Sequence, residues 1–589
     1  MSITYHEITS DYLLEDVYNP FKVIAGPGAG KTYWLIQNIK HILRQSNRIG
    51  PTSKIACITY TNVGANEILE RLEIKENVVE SSTIHSFLYK NLVSPYVYLL
   101  LNDGSEPLID ISRMDGHDEN KAYSGLIHQW KSKYNIRYFD NSKETAKKIK
   151  NCLEDLHWTF DDNEELTLKT KKPYSPQIGK YSIRQEDMLN YKKLCWSSGI
   201  IHHEDVLYFS YCLLKLYPLL REVLVARFPY MLLDEFQDTN PIQTKIINWI
   251  SESGAIIGVI GDPAQSIFRF QGASRQAFLD FHLPNQNNYT MNDNRRSGRG
   301  IVNLLNNLRS DEITQNCKRT NIVDHVSFIE CDGSDLKQTI NTFNAKRKEL
   351  NLKDDYCILA RNNPTVAKLK NGQQIKPWKE LEDKDSASRY RFLLSLLRAQ
   401  EYGHKGMIEF AAKECIKTLR TDSNNKLKEP FKEGHLTSLQ KRSVSVSLLE
   451  FLITYRNENF ESSVLDFYKE LERFYLDLNL KLKGVSNGGF KSFSEGTSVK
   501  VLVDDLKLPE EKNSEIRTIH KSKGAEFESV LVYLENIERL LEPDINEEGD
   551  ETRLIYVACS RTEKFLCIAT PPLEIEEKEK INSLVDARS

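Results

Sequence analysis

The segment Ala25–Thr32 has the sequence Ala-Gly-Pro-Gly-Ala-Gly-Lys-Thr. The largely apolar stretch Phe21–Ala25 that leads into it predicts a short buried strand, and apolar residues recur at helical spacing from Trp34 to Leu43. A glycine-rich loop between a strand and a helix turns backbone N–H groups inward, and the helix N-terminus adds partial positive charge. This context predicts a phosphate-binding loop of a nucleoside triphosphatase.

The whole loop is expected to hold the nucleotide. Lys31 is expected to reach the β- and γ-phosphates, and the Thr32 hydroxyl is expected to bind Mg²⁺. A glycine turn that merely precedes a helix is the alternative, but the Gly-Lys-Thr ending and both flanks argue against it. The expected nucleotide-binding residues are Ala25, Gly26, Pro27, Gly28, Ala29, Gly30, Lys31 and Thr32.

Length and composition set outer limits on the protein. At 589 residues the chain is too long for one core, and about 150 residues per domain predicts about four units. The formal charge of −4 gives no overall basic signature, although a local basic groove would suffice for nucleic acid. No apolar run reaches the roughly 18 residues of a membrane span, and ten scattered cysteines without a C-x-x-C pair indicate reduced thiols. We therefore expect a cytoplasmic protein without a membrane partner.

Two further apolar stretches each end in polar side chains. Tyr230–Leu233 is followed by the adjacent carboxylates Asp234 and Glu235. In a phosphate-binding-loop protein one such acid holds Mg²⁺ and the other orients or deprotonates the attacking water. Asp234 is therefore the expected metal ligand and Glu235 the expected base. Ile256–Gly261 is followed by Gln265, which is placed to sense the γ-phosphate.

Two other groups of residues allow more than one interpretation. Phe268 and Phe270 are expected to be exposed aromatics that stack on unpaired bases, but spacing alone fits core packing equally well. The run His202–Asp205 could suggest a metal site. Adjacent histidines on one element point in different directions, so residues that begin a helix are the favoured interpretation.

Taken together, these stretches resemble the motifs of superfamily 1A DNA helicases of the UvrD, Rep and PcrA type. The matches follow the family's order through both motor domains, which makes the resemblance specific. They are Ala25–Thr32 for motif I, Thr59–Asn62 with Glu67 for Ia, Thr83–Phe87 for Ib, Asp234–Asp238 for II, Gly261–Ala273 for III, Asn294–Ser297 for IV, Cys357–Asn362 for the next strand, Ile519–Phe527 for V and Arg553–Arg561 for VI.

The resemblance implies further site residues. Arg296 and Arg561 would contact the γ-phosphate from the second motor domain, and Glu526 would bind the ribose. A guanidinium supplied by a neighbouring domain makes hydrolysis depend on closure of the cleft, and repeated closure is the stroke of a translocase. The residues expected to contact single-stranded DNA are Tyr60, Thr61, Asn62, His85, Phe268, Phe270 and His520.

The chain also departs from the family pattern. No glutamine occurs before Gln37, although the family reads adenine with a glutamine upstream of motif I. Gln271 stands where motif III has an arginine, and Val63 stands where motif Ia has a lysine. These changes put adenine selection and DNA coupling in doubt, but they leave Asp234 and Glu235 intact.

The resemblance implies an α/β fold with two RecA-like motor domains, each interrupted by a mainly helical insertion, in a 1A/1B/2A/2B architecture. In the last insertion Tyr390–Leu397 and Val464–Leu478 are predicted to be helical, and Gly484–Gly496 is predicted to be a flexible loop. The expected bounds are 1–90 and 201–295 for motor domain 1A, 91–200 for insertion 1B, 296–375 and 511–589 for motor domain 2A, and 376–510 for the 2B-like insertion.

Two functions follow as expectations. The first is an ATP- and Mg²⁺-dependent helicase or translocase that moves 3′ to 5′ on single-stranded DNA and meets duplex junctions. The alternative is a nucleotide- and DNA-sensing subunit that regulates a partner nuclease, as in the Gabija anti-phage system. In the first case hydrolysis is expected to depend on Lys31, Asp234, Glu235, Gln265, Arg296 and Arg561.

Overall fold

The chain forms two compact units, Met1–Lys370 with Ser514–Ser589, and Asn371–Asn513. The finer four-part division expected from the resemblance stays a prediction. The computed structural model describes residues 4–586 apart from 73–77, 103–105, 115, 119, 141, 171–176, 179–180, 310–312, 320–324, 332–335, 370–376, 385–386, 422–424, 486–487, 505, 507–514 and 547–549.

Within the described part of the first unit, seven strands form an entirely parallel sheet. Four neighbouring central strands are buried along their whole length, which is typical of a parallel sheet covered on both faces. Across the sheet the strands are His6–Glu7, Asn287–Met291, Phe21–Ala25, Ile256–Gly261, Tyr230–Leu233, Ile55–Thr59 and Val79–Thr83.

The order of these strands brings the predicted chemistry together. Phe21–Ala25 pairs with Ile256–Gly261, which pairs in turn with Tyr230–Leu233. Because all three run in the same direction, the segments that follow them meet at one edge of the sheet, where open α/β sheets bind ligands.

A second parallel sheet lies in the same unit and has five strands among the described residues. The longest, Thr562–Thr570, begins directly after Arg561. Mixed α/β structure with two parallel sheets agrees with the expected fold class. Across the sheet the strands are His325–Glu330, Thr562–Thr570, Phe527–Tyr533, Tyr356–Ala360 and Ile516–Thr518.

Helices cover these sheets. Arg299–Leu308 shows the pattern clearly, because its buried residues Ile301, Leu304, Leu305 and Leu308 recur on one face. The α-helices of more than five residues in this unit are Lys31–Gln45, Asn62–Leu72, Ser124–Lys133, Lys143–Glu154, Gln185–Ser197, His203–Leu216, Leu219–Arg227, Pro241–Glu252, Arg275–Asp280, Arg299–Leu308, Leu336–Glu349, Asn363–Leu369, Glu551–Cys559 and Ile575–Asp586.

The segment from 91 to 200 contains helices, but it also contains an antiparallel hairpin of Leu156–Phe160 and Leu166–Thr170. This hairpin departs from the expected mainly helical insertion. In Leu156–Phe160 the buried Leu156 and Trp158 alternate with partly exposed residues, which is a strand pattern inside a segment rich in charged residues. The helix-entry interpretation of His202–Asp205 is confirmed. His202 caps helix His203–Leu216, and the Asp205 carboxylate accepts a hydrogen bond from the His202 backbone N–H.

The second unit is built mainly from helices around its own apolar core. Both predicted helical stretches are helical, within Ala387–His404 and Val464–Asp477, but Gly489–Gly496 is a helix where a flexible loop was predicted. Its buried Phe490 and Phe493 explain the difference. The remaining elements are helices Pro377–Lys384, Ile408–Thr418, Ser438–Asn459 and Val499–Asp504 and strands Phe431–Glu433 and Lys481–Leu482. In neither unit does a described helix have the length and apolarity needed to cross a membrane.

Candidate functional site

The glycine-rich loop joins the central strand Phe21–Ala25 to helix Lys31–Gln45. Gly28 and Gly30 have φ angles of +70° and +86°, which residues with a Cβ atom rarely adopt. Lys31 Nζ donates a hydrogen bond to the Ala25 carbonyl at 3.3 Å, and Thr32 follows in the first helical turn. The local geometry is that of an anion-binding loop at a helix N-terminus.

The two carboxylates expected to act on Mg²⁺ and water follow strand Tyr230–Leu233. Glu235 has φ +55° and ψ +40°, a left-handed backbone that is rare for a residue with a long side chain. Gln237 Nε2 donates to Glu235 Oε2 at 2.5 Å, and Gln237 Oε1 accepts the backbone N–H of Asp262 at 3.0 Å. Gln237 therefore fixes Glu235 against the neighbouring strand.

The environment separates the two acids chemically. Burial raises the pKa of the Asp234 carboxyl, and the adjacent Glu235 charge raises it further. Burial also favours protonated Glu235, but the ammonium groups of Lys31 and Lys523 outweigh it and hold the Glu235 pKa well below its ordinary value. Because the pKa values of the two adjacent acids are well separated, they suit different roles, Asp234 as the metal ligand and Glu235 as the base.

Gln265 belongs to a buried network that joins both sheets. Its Nε2 donates to Asp262 Oδ2 at 2.9 Å, and its Oε1 accepts from Arg561 Nη2 at 3.0 Å. Arg309 Nη1 lies 3.1 Å from Asp262 Oδ1, and both of these side chains are fully buried. Burial and the charge of Arg296 lower the pKa of Arg561 to about 10, which leaves the guanidinium charged at neutral pH.

Arg296 lies beside the other predicted arginine. It forms an ion pair with Glu526, and its Nη1 donates to the Ser560 carbonyl at 3.0 Å. Its buried Nε has no hydrogen-bond partner among the described residues. The structure therefore brings together the acid pair, Gln265 and both arginines.

Comparison with protein families agrees with this geometry. Residues 11–286 match the UvrD/REP helicase N-terminal domain, and residues 416–571 match the UvrD-like helicase C-terminal domain. The two matches together cover more than two thirds of the chain. The chain belongs to the UvrD-like helicase family. The resemblance to superfamily 1A helicases is confirmed.

Individual relatives of this UvrD-like helicase match it over most of their length. A probable DNA helicase II homolog of Mycoplasma capricolum is 25% identical over 95% of this chain and 84% of its own. The ATP-dependent DNA helicase PcrA of Staphylococcus aureus is 24% identical over 93% and 81%. The Gabija protein GajB of Bacillus cereus is 22% identical over 92% and 91%. These similarities support a DNA helicase enzyme that uses a nucleotide.

The residues at this sheet edge fit a nucleoside triphosphate with Mg²⁺. The buried, unsatisfied Arg296 Nε would be satisfied by an anion. Lys31 and Arg561 would supply further positive charge, whereas Thr32 and Asp234 offer the oxygen donors that Mg²⁺ prefers.

Four residues expected to contact DNA form one aromatic cluster. Tyr60 stacks on Phe268 with ring centroids 4.6 Å apart, and His520 lies 5.2 Å from Phe270. Phe270 is 50% exposed, but Phe268 is only 7% exposed, because it packs into an apolar core and its ring stacks on Tyr60. The expectation of two exposed aromatics is therefore correct for Phe270 and wrong for Phe268. A role of the cluster in DNA binding stays a prediction.

The other expected DNA contacts are Thr61, Asn62 and His85. The Thr61 hydroxyl accepts the Gly64 backbone N–H at 3.1 Å and so caps helix Asn62–Leu72. The Asn62 side chain lies outside the described residues. His85 packs 5.6 Å from the ring of His203, whose Nδ1 lies 2.7 Å from Nδ1 of His117.

Several residues of the network had no role in the sequence analysis. Lys523 pairs with Asp238 and donates to the Gln265 carbonyl at 2.7 Å. Lys523 and Gln237 fall inside recognised motifs, so closer attention to motifs II and V could have found them. Arg309, which pairs with Asp262, and Gln315, whose amide contacts the Pro27 carbonyl of the glycine-rich loop, lie outside the motifs, and no local pattern indicates them.

Proposed function

We propose that this chain is an ATP- and Mg²⁺-dependent DNA helicase that moves 3′ to 5′ on single-stranded DNA. The observation that carries the proposal is the buried network from Glu235 through Gln237, Asp262 and Gln265 to Arg561. It links the candidate catalytic base to a guanidinium from the second sheet. A change at either end can therefore reach the other through hydrogen bonds that have few alternative partners.

Bound ATP would supply the phosphoanhydride bond, and Mg²⁺ would neutralise charge on its phosphates. Glu235, ionised and fixed by Gln237, would accept the proton of the attacking water. Arg296 and Arg561 would stabilise the charge of the transferring phosphoryl group from the opposite side. Arg296 would first leave Glu526, which would free that carboxylate for the ribose.

The DNA path is proposed to run past the exposed ring of Phe270. An unpaired base can stack on this ring, and aromatic stacking contributes about 1–3 kcal/mol per base. Lys523 Nζ lies 5.1 Å from the Phe268 ring and also contacts Asp238 and the Gln265 carbonyl. It would thus connect the aromatic cluster to the nucleotide site.

The test is the rate of ATP hydrolysis with and without single-stranded DNA, followed by strand separation on duplexes with 3′ or 5′ single-stranded tails. Lys31→Ala is expected to abolish hydrolysis, whereas Lys40→Ala, on the same helix, should retain it. An ATPase that ignores single-stranded DNA, in a protein that separates no duplex, would refute the proposal. Preference for 5′ tails would refute the polarity alone.

A second candidate function is a nucleotide- and DNA-sensing subunit that regulates a partner nuclease. The similarity to the Gabija protein GajB over 92% of this chain favours it. The expected sign is stoichiometric co-purification with a nuclease whose activity changes with ATP and DNA. Processive unwinding by the isolated chain would count against this function.

A further inference from the structure

Gln315 lies against the glycine-rich loop, although it is outside every recognised motif. It is only 3% exposed, and its Nε2 donates a hydrogen bond to the Pro27 carbonyl at 3.0 Å. A Cβ atom on Gly26 would come within 2.3 Å of the same Nε2. The amide is therefore in direct contact with the loop, and Gly26 leaves the space for it.

This contact falls on the carbonyl side of the loop. The Gly28 carbonyl also accepts a hydrogen bond there, from the Arg295 backbone N–H at 2.8 Å. Two successive loop carbonyls are thus held by residues outside the loop. Because a peptide's carbonyl and N–H groups point in opposite directions, holding these carbonyls constrains where the loop's N–H groups point.

The other end of the Gln315 amide reaches the segment that carries Arg296. Gln315 Oε1 accepts from Asn294 Nδ2 at 3.3 Å. Asn294 Oδ1 in turn accepts the backbone N–H groups of Arg296 and Ser297, each at 3.0 Å. One buried amide therefore connects the loop with the backbone of the predicted arginine finger.

Gln315 is itself held firmly. Asn306, on helix Arg299–Leu308, accepts the Gln315 backbone N–H at 2.9 Å and donates to its carbonyl at 3.0 Å. The neighbouring strands Asp293–Asn294 and Asn316–Cys317 pair in parallel. Because its backbone is hydrogen-bonded on both sides, the Gln315 side chain can hold a constant distance between the Pro27 carbonyl and Asn294.

We propose that Gln315 is a positioning residue that sets Arg296 relative to the glycine-rich loop and thereby lets the site distinguish ATP from ADP. The inference rests on the proposed nucleotide-dependent function. Movement of the loop on binding phosphate would be transmitted through Gln315 and Asn294 to Arg296. Without the amide, the loop could still bind the phosphates common to both nucleotides, but the segment that carries Arg296 would keep only one of its two links to the loop described above, the Arg295 N–H on the Gly28 carbonyl.

The test compares Gln315→Leu and Gln315→Glu with wild type. Leucine removes both hydrogen bonds. Glutamate keeps the acceptor for Asn294, and because burial favours the protonated carboxyl, its hydroxyl can donate to the Pro27 carbonyl in place of the amide. The matched control is Gln286→Leu, because Gln286 is buried and likewise makes one acceptor bond, from the Leu283 N–H, and one donor bond, to Asn288. The readouts are kcat, KM, the affinities for ADP and a non-hydrolysable ATP analogue, and the urea midpoint.

Gln315→Leu is expected to lower kcat about ten- to a hundredfold, the scale of a small misplacement of a catalytic group, and Gln315→Glu is expected to lower it less. The affinity for ADP should fall less than the affinity for the ATP analogue, so the preference for the analogue over ADP should shrink. Gln286→Leu should change stability without changing that preference. Equal losses of affinity for both nucleotides, or wild-type behaviour of Gln315→Leu, would overturn the inference. A wild-type protein that binds ATP but does not hydrolyse it would instead refute the proposed function, and the binding comparison would still test Gln315.

Discussion

Replacing Arg309 by methionine tests whether the buried pair with Asp262 stabilises the first unit. Arg309 Nη1 lies 3.1 Å from Asp262 Oδ1, and both side chains are fully buried. Removing one partner of a buried ion pair costs about 3–5 kcal/mol, because the remaining charge stays out of water. Asp262 keeps hydrogen bonds from the Ala264 N–H at 3.1 Å and from Gln265 at 2.9 Å. We therefore expect a loss at the lower end, about 3 kcal/mol.

The double variant Arg309→Met with Asp262→Asn removes both charges and should recover part of that loss. Recovery is incomplete because the asparagine NH2 replaces the oxygen that accepts from Gln265 Nε2. Asparagine keeps the side-chain oxygen that caps the turn Pro263–Gln265. A double-mutant cycle on urea unfolding, followed by intrinsic fluorescence, measures the coupling. The matched control is Arg347→Met, because Arg347 also lies 3.1 Å from its partner, but that partner, Asp354, is 92% exposed.

The control Arg347→Met should lower the free energy of unfolding by about 1 kcal/mol, mostly through the lost contact of Arg347 with the ring of Tyr356. The lost ion pair contributes little, because Asp354 stays hydrated. A loss below about 1 kcal/mol for Arg309→Met would contradict the expected desolvation cost. A double variant no more stable than the single one would show that the Asp262 charge is not the source of the loss.

Four further predictions concern single side chains. The raised pKa of Asp234 means that the folded protein keeps a proton that the unfolded chain releases above about pH 4, so wild-type stability falls as the pH rises from there towards neutrality. Asp234→Asn should therefore be more stable than wild type at pH 8, with the difference closing near pH 4, in urea titrations without nucleotide. Phe270→Ala should weaken single-stranded DNA binding by about 1–3 kcal/mol in fluorescence anisotropy, with an unchanged urea midpoint. Phe268→Ala should instead destabilise the fold by about 3–5 kcal/mol, because the ring is buried; equal behaviour of the two variants would refute this distinction. Lys22→Met should cost about 1–3 kcal/mol in urea unfolding, because it leaves the carbonyls of Phe278, Leu279 and Phe281 without their buried donor, and an unchanged midpoint would argue against that role.

Much of the fold and of the site could be predicted because the signals were local. The strand, loop and helix around Lys31 form one continuous stretch, and the parallel direction of the strands then places Asp234 and Gln265 at the same edge. Helical spacing of apolar residues likewise predicted the helices Ala387–His404 and Val464–Asp477 of the second unit.

What could not be predicted depends on contacts between distant residues. Gln315 and Pro27 are 288 positions apart, and no periodicity relates them. Phe268 and Phe270 are two residues apart and chemically identical, yet only the first packs into the apolar core and stacks on Tyr60. The Thr61 hydroxyl caps the helix Asn62–Leu72 that follows it, and a comparison of motifs does not reveal this hydrogen bond.

The left-handed backbone of Glu235 has an evolutionary consequence. Such a conformation costs of order 1–3 kcal/mol in a residue with a long side chain, whereas glycine adopts it freely. A lineage that ceases to hydrolyse nucleotide would gain stability by exchanging this glutamate for glycine or asparagine. Retention of glutamate at this position in a descendant would then be a sign of continued selection for turnover, independent of how far the rest of its sequence has drifted.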